Sequence, residues 1–154
     1  LPHLKKRVQQ EGLQQQIMFV GYLERATKLQ DCYGAANVFV FASRTETQGL
    51  VLLEAMAQGL PVVSTAVMGT RDVLVDQQGC LIAPEDIGQF AEKTEQILSS
   101  DTLQQQLRQS GKTYAVKWTA SGYAGKLAEL YQRLIERANS QLTESMADCA
   151  SKTV

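Results

Sequence analysis

Short apolar runs that alternate with helical patterns constrain the fold of this chain most. Residues 38–41 are apolar at every position, which is typical of a parallel strand covered by helices on both faces. Similar short runs predict strands at 17–20, 61–65 and 80–82. Strands that alternate with helices at short intervals indicate βαβ units. The sequence therefore predicts an α/β fold, with a Rossmann-like parallel sheet and helices on both faces.

In the segments between and after these strands, apolar residues recur at helical spacing. The predicted helices cover residues 4–16, 26–36, 50–58 and about 69–75, and three more follow Pro84. Four strands are few for a doubly wound sheet, and the chain begins inside a predicted helix. We therefore expect one domain over residues 1–138 that is truncated at its N-terminus. Residues 139–154 are small and polar, and we expect a disordered tail there.

Composition excludes several classes of function. The 15 Lys and Arg residues nearly balance the 16 Asp and Glu residues, so no basic surface for nucleic acid is expected. The single histidine, His3, and the widely spaced Cys32, Cys80 and Cys149 argue against a metal site or a disulfide framework. No apolar run reaches the roughly 18 residues that a membrane span needs, and no signal peptide is seen. We expect a cytoplasmic protein with reduced thiols.

The segment that follows the apolar strand carries the strongest sign of chemistry. Residues 45–49 lie at the carboxyl end of a predicted parallel strand, where open α/β sheets bind ligands. Gly49 allows close approach of the backbone, and the free N–H groups at the helix start, near residues 48–50, can hold an anion such as a pyrophosphate. Glu54 lies among apolar residues of the predicted helix, so its carboxylate needs hydrogen-bond donors or a cation.

The two glutamates of this segment, Glu46 and Glu54, flank the predicted anion site. One precedes the helix, and the other lies about one turn inside it. This arrangement suits a ligand that has hydroxyl groups at both ends and phosphate between them. A nucleotide-sugar, with its sugar, pyrophosphate and ribose, has that shape.

The segment resembles the Glu-x7-Glu motif of the retaining glycosyltransferases of group 1, also called glycosyltransferase family 4, which have the GT-B fold. The resemblance covers roughly residues 17–135 and includes the Glu-Ala-Met-Ala-x-Gly-x-Pro-Val run over 54–62 and residues 69–72. It implies the C-terminal half of a GT-B enzyme, incomplete here, that binds a nucleotide-sugar donor such as UDP-glucose without a cofactor or metal. The acceptor, a lipid, polysaccharide or other molecule, would bind to an N-terminal domain that is missing from this chain. That missing domain would also provide any peripheral association with the inner face of the membrane.

The resemblance also assigns roles by position. Glu46, the candidate catalytic residue, would bind and orient the hydroxyl groups of the donor sugar. Glu54 would hold the ribose diol. The other substrate-binding positions, through backbone amides or beside the base, would be Gln48, Gly49, Leu50, Val51, Gly21 and Tyr22. The family's Arg and Lys that neutralise the diphosphate would precede residue 1, so we expect this chain alone to be inactive.

Two other functions fit the same residues. A GT-B-fold nucleotide-sugar epimerase or sugar-phosphate synthase shares the layout but performs another reaction. A non-catalytic α/β binding module is the third alternative, although a pure scaffold has no use for the pair Glu46 and Glu54.

Overall fold

The computed structural model describes residues 1–151, with side chains as far as residue 141. The chain divides into two compact units, Leu1–Ala35 and the residues from Ala36 onward. A compact unit need not be a domain that folds alone, so the single domain expected over residues 1–138 stays a prediction.

The first unit contains two helices, α1 (Pro2–Gln10) and α2 (Lys28–Ala35). Helix α1 is shorter than predicted, because residues 11–16 form turns. The strand predicted at 17–20 is wrong: these residues have no regular secondary structure. A strand needs a neighbour for its backbone hydrogen bonds, and the described residues of this unit contain no second strand.

The second unit is built on a parallel sheet of three strands. They are β1 (Phe39–Phe41), β2 (Val62–Ser64) and β3 (Cys80–Ile82), in the order β1-β2-β3. Helix α3 (Leu50–Ala57) connects the first pair, and helix α4 (Gly69–Val73) connects the second. All three strands lie within the predicted ranges, and the predicted α/β class with a parallel sheet is confirmed.

The middle strand β2 is covered on both faces. The edge strand β1 is not, since Val40 is 49% exposed, which corrects the expectation that residues 38–41 are covered on both sides. In the register, Phe39 pairs with Val62 and Val62 with Cys80, so these three side chains share one face, and Val63 points to the other. Val62 and Val63 are both 0% exposed. A parallel strand buried on both sides is mainly apolar, and in β2 only Ser64, which is 1% exposed, is polar.

Three helices follow the sheet: α5 (Ile87–Leu98), α6 (Asp101–Val116) and α7 (Ala120–Ser151). Ile97 of α5 and Leu107 of α6 join Val63, Leu81 and Ala83 in one buried cluster. Helix α3 packs against α6. The core therefore lies between the sheet and the C-terminal helices, and it leaves the carboxyl ends of the strands at the edge of the unit.

Helix α7 extends further than the sequence predicted. The chain remains helical over residues 139–151, where a tail was expected, and residues 152–154 lie outside the described residues. Residues 139–151 contain neither Gly nor Pro, so nothing in their sequence stops the helix. Among the helices that the structure describes, none is both long enough and apolar enough to cross a bilayer.

The N-terminus of α6 offers a test of the fold. The Ser100 hydroxyl accepts a hydrogen bond of 3.2 Å from the Leu103 amide and caps the helix. Replacing Ser100 with Ala should lower the free energy of unfolding by about 1 kcal/mol, because the amide loses its partner. The adjacent Ser99, which ends α5, is exposed, and Ser99→Ala is the matched control. Equal urea-denaturation midpoints for the two variants would contradict the cap.

Candidate functional site

The loop between β1 and α3 holds Glu46 in a fixed position. The carboxylate Oε1 of Glu46 accepts hydrogen bonds from the backbone amides of Gln48 at 3.0 Å and Gly49 at 2.9 Å. The carbonyl oxygen of Glu46 accepts a third bond, 3.1 Å long, from the amide of Gly69 at the start of α4. Within the described part of the chain, the second carboxylate oxygen, Oε2, makes no hydrogen bond. Glu46 is therefore oriented through one oxygen, and the other can accept a hydrogen bond from a ligand.

These hydrogen bonds also keep Glu46 ionised. The amide of Gln48, followed by that of Gly49, lowers the pKa of the Glu46 carboxyl below its ordinary value of 4.5, and this outweighs the opposite effect of desolvation. At neutral pH the carboxylate is an acceptor only, which suits the hydroxyl groups of a ligand.

Near the start of α3, the backbone amides left without a hydrogen-bond partner among the described residues, called the open amides below, belong to residues 50 and 51. The sequence suggested residues 48–50. The N–H groups of Gln48 and Gly49 are engaged by Glu46, so the prediction that they are free is corrected. Helix α3 begins after Gly49, which has φ +67° and provides no side chain to cap the helix. The amides of Leu50 and Val51 make no hydrogen bond to any described residue. The dipole of α3 and these two amides form a place for an anion.

Glu54 lies on the less covered face of α3. Its side chain is half-buried and shares that face with Leu50 and Val51. The opposite face is buried and consists of Leu52, Leu53, Ala55 and Met56. The sequence placed Glu54 among hydrocarbon on all sides, whereas the structure places it beside an open surface, about 6 Å along the helix from the first open amide. It can therefore meet a ligand bound at the start of α3.

Gly69 is a site residue that the sequence reasoning did not assign. A Cβ atom on Gly69 would lie 1.9 Å from the carbonyl oxygen of Thr47 and 2.2 Å from its carbonyl carbon. Only glycine allows the start of α4 to approach the Glu46 loop so closely. The available signal was a glycine at the first position of a predicted helix, which is unfavourable unless something packs against it.

Gly21 and Tyr22 belong to the first unit. Gly21 has φ +69°, and Tyr22 is 93% exposed. Their assignment beside the nucleotide base stays a prediction.

The lowered pKa of Glu46 makes stability depend on pH. The carboxylate stabilises the folded chain above its ordinary pKa of 4.5, and the contribution is lost as the pH falls through the lowered folded-state value. The difference in unfolding free energy between wild type and Glu46→Gln should therefore shrink between about pH 6 and about pH 3. Urea denaturation across this range measures it. Glu95→Gln, at an exposed carboxylate of α5, is the control, and a difference that does not change with pH would contradict the prediction.

The close approach at Gly69 can be tested separately. Gly69→Ala should lower the unfolding free energy by about 1–3 kcal/mol, because the new methyl group overlaps the backbone of Thr47. The control is Gly125→Ala in α7, where nothing lies within 4 Å of the added atom. That variant should be slightly more stable than wild type, since Ala favours a helix. If Gly69→Ala were as stable as Gly125→Ala, the contact would be absent in solution.

Comparisons with known proteins agree on one family. The family model described as "Glycosyl transferases group 1" matches residues 2–114. D-inositol 3-phosphate glycosyltransferase 2 of Catenulispora acidiphila is 31% identical over 135 residues, which cover 87% of this chain and 31% of the relative. The chain thus spans about a third of the length of this curated relative.

Solved structures show the same fold. The C-terminal domain of LpcC, a glycosyl transferase group 1 family protein from Francisella tularensis, matches with a TM-score of 0.67 and 29% identity, covering 75% of this chain and 60% of that one. Anabaena Alr3699/HepE, solved in complex with UDP, matches with a TM-score of 0.72 and 17% identity, covering 86% of this chain and 36% of that one. The predicted fold, the C-terminal half of a GT-B glycosyltransferase, is confirmed. Because the family model matches residues 2–114, which are most of this chain, the chain belongs to the group 1 glycosyl transferases.

Proposed function

We propose that this chain is the donor-binding half of a retaining hexosyltransferase of glycosyltransferase family 4, and that its donor is a nucleotide-sugar such as UDP-glucose. The observation that carries the proposal is the arrangement at the start of α3. An ionised, oriented carboxylate of Glu46 lies directly before the open amides of Leu50 and Val51. The HepE neighbour, which shares this fold, was solved with UDP.

Each part of the donor has a partner in this arrangement. The diphosphate binds to the open amides of Leu50 and Val51, where the helix dipole favours negative charge. Glu46 accepts hydrogen bonds from hydroxyl groups of the sugar through its unoccupied Oε2. Glu54, one turn further along α3, holds the ribose diol. The donor therefore lies across the N-terminus of α3.

The charges of the site imply that further groups take part. Two carboxylates and a diphosphate repel one another unless cations are present. Arg44, in the same loop, forms an ion pair of 2.6 Å with Glu85 through its Nε atom, so it is not placed as a free counter-charge. In line with the family resemblance, we infer that further Arg and Lys residues neutralise the diphosphate, and that this chain alone binds the donor weakly. No metal ion is needed for this arrangement.

A second domain would provide the acceptor. Helix α7 exposes an apolar stripe at helical spacing, whose members are each 43–56% exposed: Tyr123, Leu127, Leu130, Tyr131 and Leu134. An exposed stripe of this kind is typical of a surface that another domain or protein covers. The acceptor domain would cover the part of this stripe from Leu127 onward and bring the acceptor to the donor.

The chemistry follows from how the donor is held. As the bond between sugar and diphosphate breaks, negative charge develops on the leaving phosphate, and the amides at the start of α3 stabilise it. No side chain of this chain has to act as a nucleophile. The acceptor hydroxyl attacks from the face that the phosphate leaves, the phosphate accepts its proton, and the configuration at the anomeric carbon is retained.

The test uses the full-length protein that contains this chain. Glu46→Gln should lower turnover about tenfold to hundredfold, because a charge-assisted hydrogen bond to the donor sugar is weakened. Glu54→Gln should mainly weaken binding of the nucleotide-sugar, measured by calorimetry against UDP-, GDP- and ADP-sugars. Glu95→Gln, in α5, is the matched control for both.

Three results would contradict the proposal. Near-normal turnover of Glu46→Gln would remove Glu46 from the site. Formation of an epimerised nucleotide-sugar from labelled donor, without any acceptor, would identify an epimerase. Loss of activity in EDTA would show that a metal is required.

A further inference from the structure

A second cavity lies beside the donor loop, on the side of α4 and α7. It has a volume of about 370 Å³, within the range of ligand pockets, and includes Leu53 and Val73 in its floor. The residues that matter for its chemistry are Thr47, Gln48, Asp72, Trp118 and Tyr123. Gln48 and Leu50 of the lining also belong to the proposed donor site, whereas Asp72, Trp118 and Tyr123 have no role in that site.

One wall of the cavity is aromatic and held in place. The rings of Trp118 and Tyr123 have their centroids 5.7 Å apart at an angle of 46°, and Trp118 also contacts the ring of Tyr114 at 6.2 Å. The buried hydroxyl of Tyr114 donates a hydrogen bond of 2.8 Å to the carbonyl oxygen of Val73. This bond fixes the aromatic series to the end of α4. The wall therefore exists before any ligand binds.

Three other lining residues are polar, and their side chains have no hydrogen-bond partner among the described residues. The side chains of Thr47, Gln48 and Asp72 are exposed, and none of them makes a hydrogen bond to a described residue. Together they offer a hydroxyl, an amide and a carboxylate, which can both donate and accept hydrogen bonds. The indole N–H of Trp118 is likewise without a partner in the described part of the chain.

This combination defines a class of ligand. The lining contains one carboxylate and no basic residue, so it disfavours phosphate and other anions. Aromatic rings in the same cavity as groups that donate and accept hydrogen bonds match a neutral hexopyranose ring. Such a ring has an apolar C–H face and a rim of hydroxyl groups.

We propose that this cavity is a subsite for a hexopyranose ring of the acceptor. The inference rests on the proposed function, because the cavity shares Gln48 and Leu50 with the donor loop. An acceptor sugar bound here lies next to the loop that carries Glu46. The subsite would restrict the acceptors to molecules that already carry a hexose.

Trp118 is the single tryptophan of the chain, so its fluorescence reports on this cavity directly. Titration of the 154-residue chain with methyl α-D-glucopyranoside and methyl α-D-mannopyranoside should produce a saturable change with at least one of them. Glycerol, which has hydroxyl groups but no ring face, should produce none. Gln48→Ala and Asp72→Asn should each weaken the binding about tenfold, equivalent to about 1.4 kcal/mol. Gln78→Ala, at an exposed glutamine outside the cavity, is the control and should bind like wild type.

Several results would overturn the subsite. These are no saturable response to either glycoside, an equal response to glycerol, or unchanged affinity in both variants while their circular dichroism stays native. Displacement of the glycoside by UDP-glucose but not by UDP would show that the ring belongs to the donor and not to the acceptor.

Calorimetry with nucleotide-sugars on the full-length protein separates the two proposals. If a nucleotide-sugar binds and the glycosides do not, only the subsite fails. If the glycosides bind and no nucleotide-sugar does, only the donor site fails.

Discussion

The contact between the start of α4 and the loop after β1 determines the geometry of the whole site. The amide of Gly69 donates to the carbonyl oxygen of Glu46, and the missing side chain of Gly69 leaves room for the backbone of Thr47. With the loop held there, the Glu46 carboxylate meets the amides of Gln48 and Gly49. The first turn of α3 and the neighbouring cavity take their positions from the same contact.

The second constraint is electrostatic. Glu46 is held ionised by backbone amides in a site that we propose for an anionic donor. This is favourable only if the carboxylate contacts the neutral sugar and not the phosphates. Because Glu46 lies in the loop and the open amides lie in α3, the carboxylate can contact the sugar while the amides contact the phosphates. A diphosphate bound beside two carboxylates would also need cationic partners.

The sequence predicted the second unit well because its signals are local. The strand at 80–82 and the helices at 50–58 and 69–75 depend on apolar spacing and on glycine positions, which can be read without knowing the fold. The strand predicted at 17–20 failed for the opposite reason. Its composition suits a strand, but a strand also requires a neighbour, which no local pattern reveals. The helix over residues 139–151 was likewise not predicted, because small and polar residues suggested a tail although neither Gly nor Pro ends the helix there.

The sequence by itself determined the parallel α/β class and the position of the 45–49 loop after β1, because these follow from periodicity and from the order of elements along the chain. It also proposed the pair Glu46 and Glu54 for a ligand, from a motif contiguous in the chain. Only the tertiary structure decided which amides remain open, since Glu46 folds back onto Gln48 and Gly49. It also decided that Trp118 and Asp72 line the same cavity, although they lie far apart in the chain. Hydrogen bonds and cavities join residues through space, and a sequence orders them only along the chain.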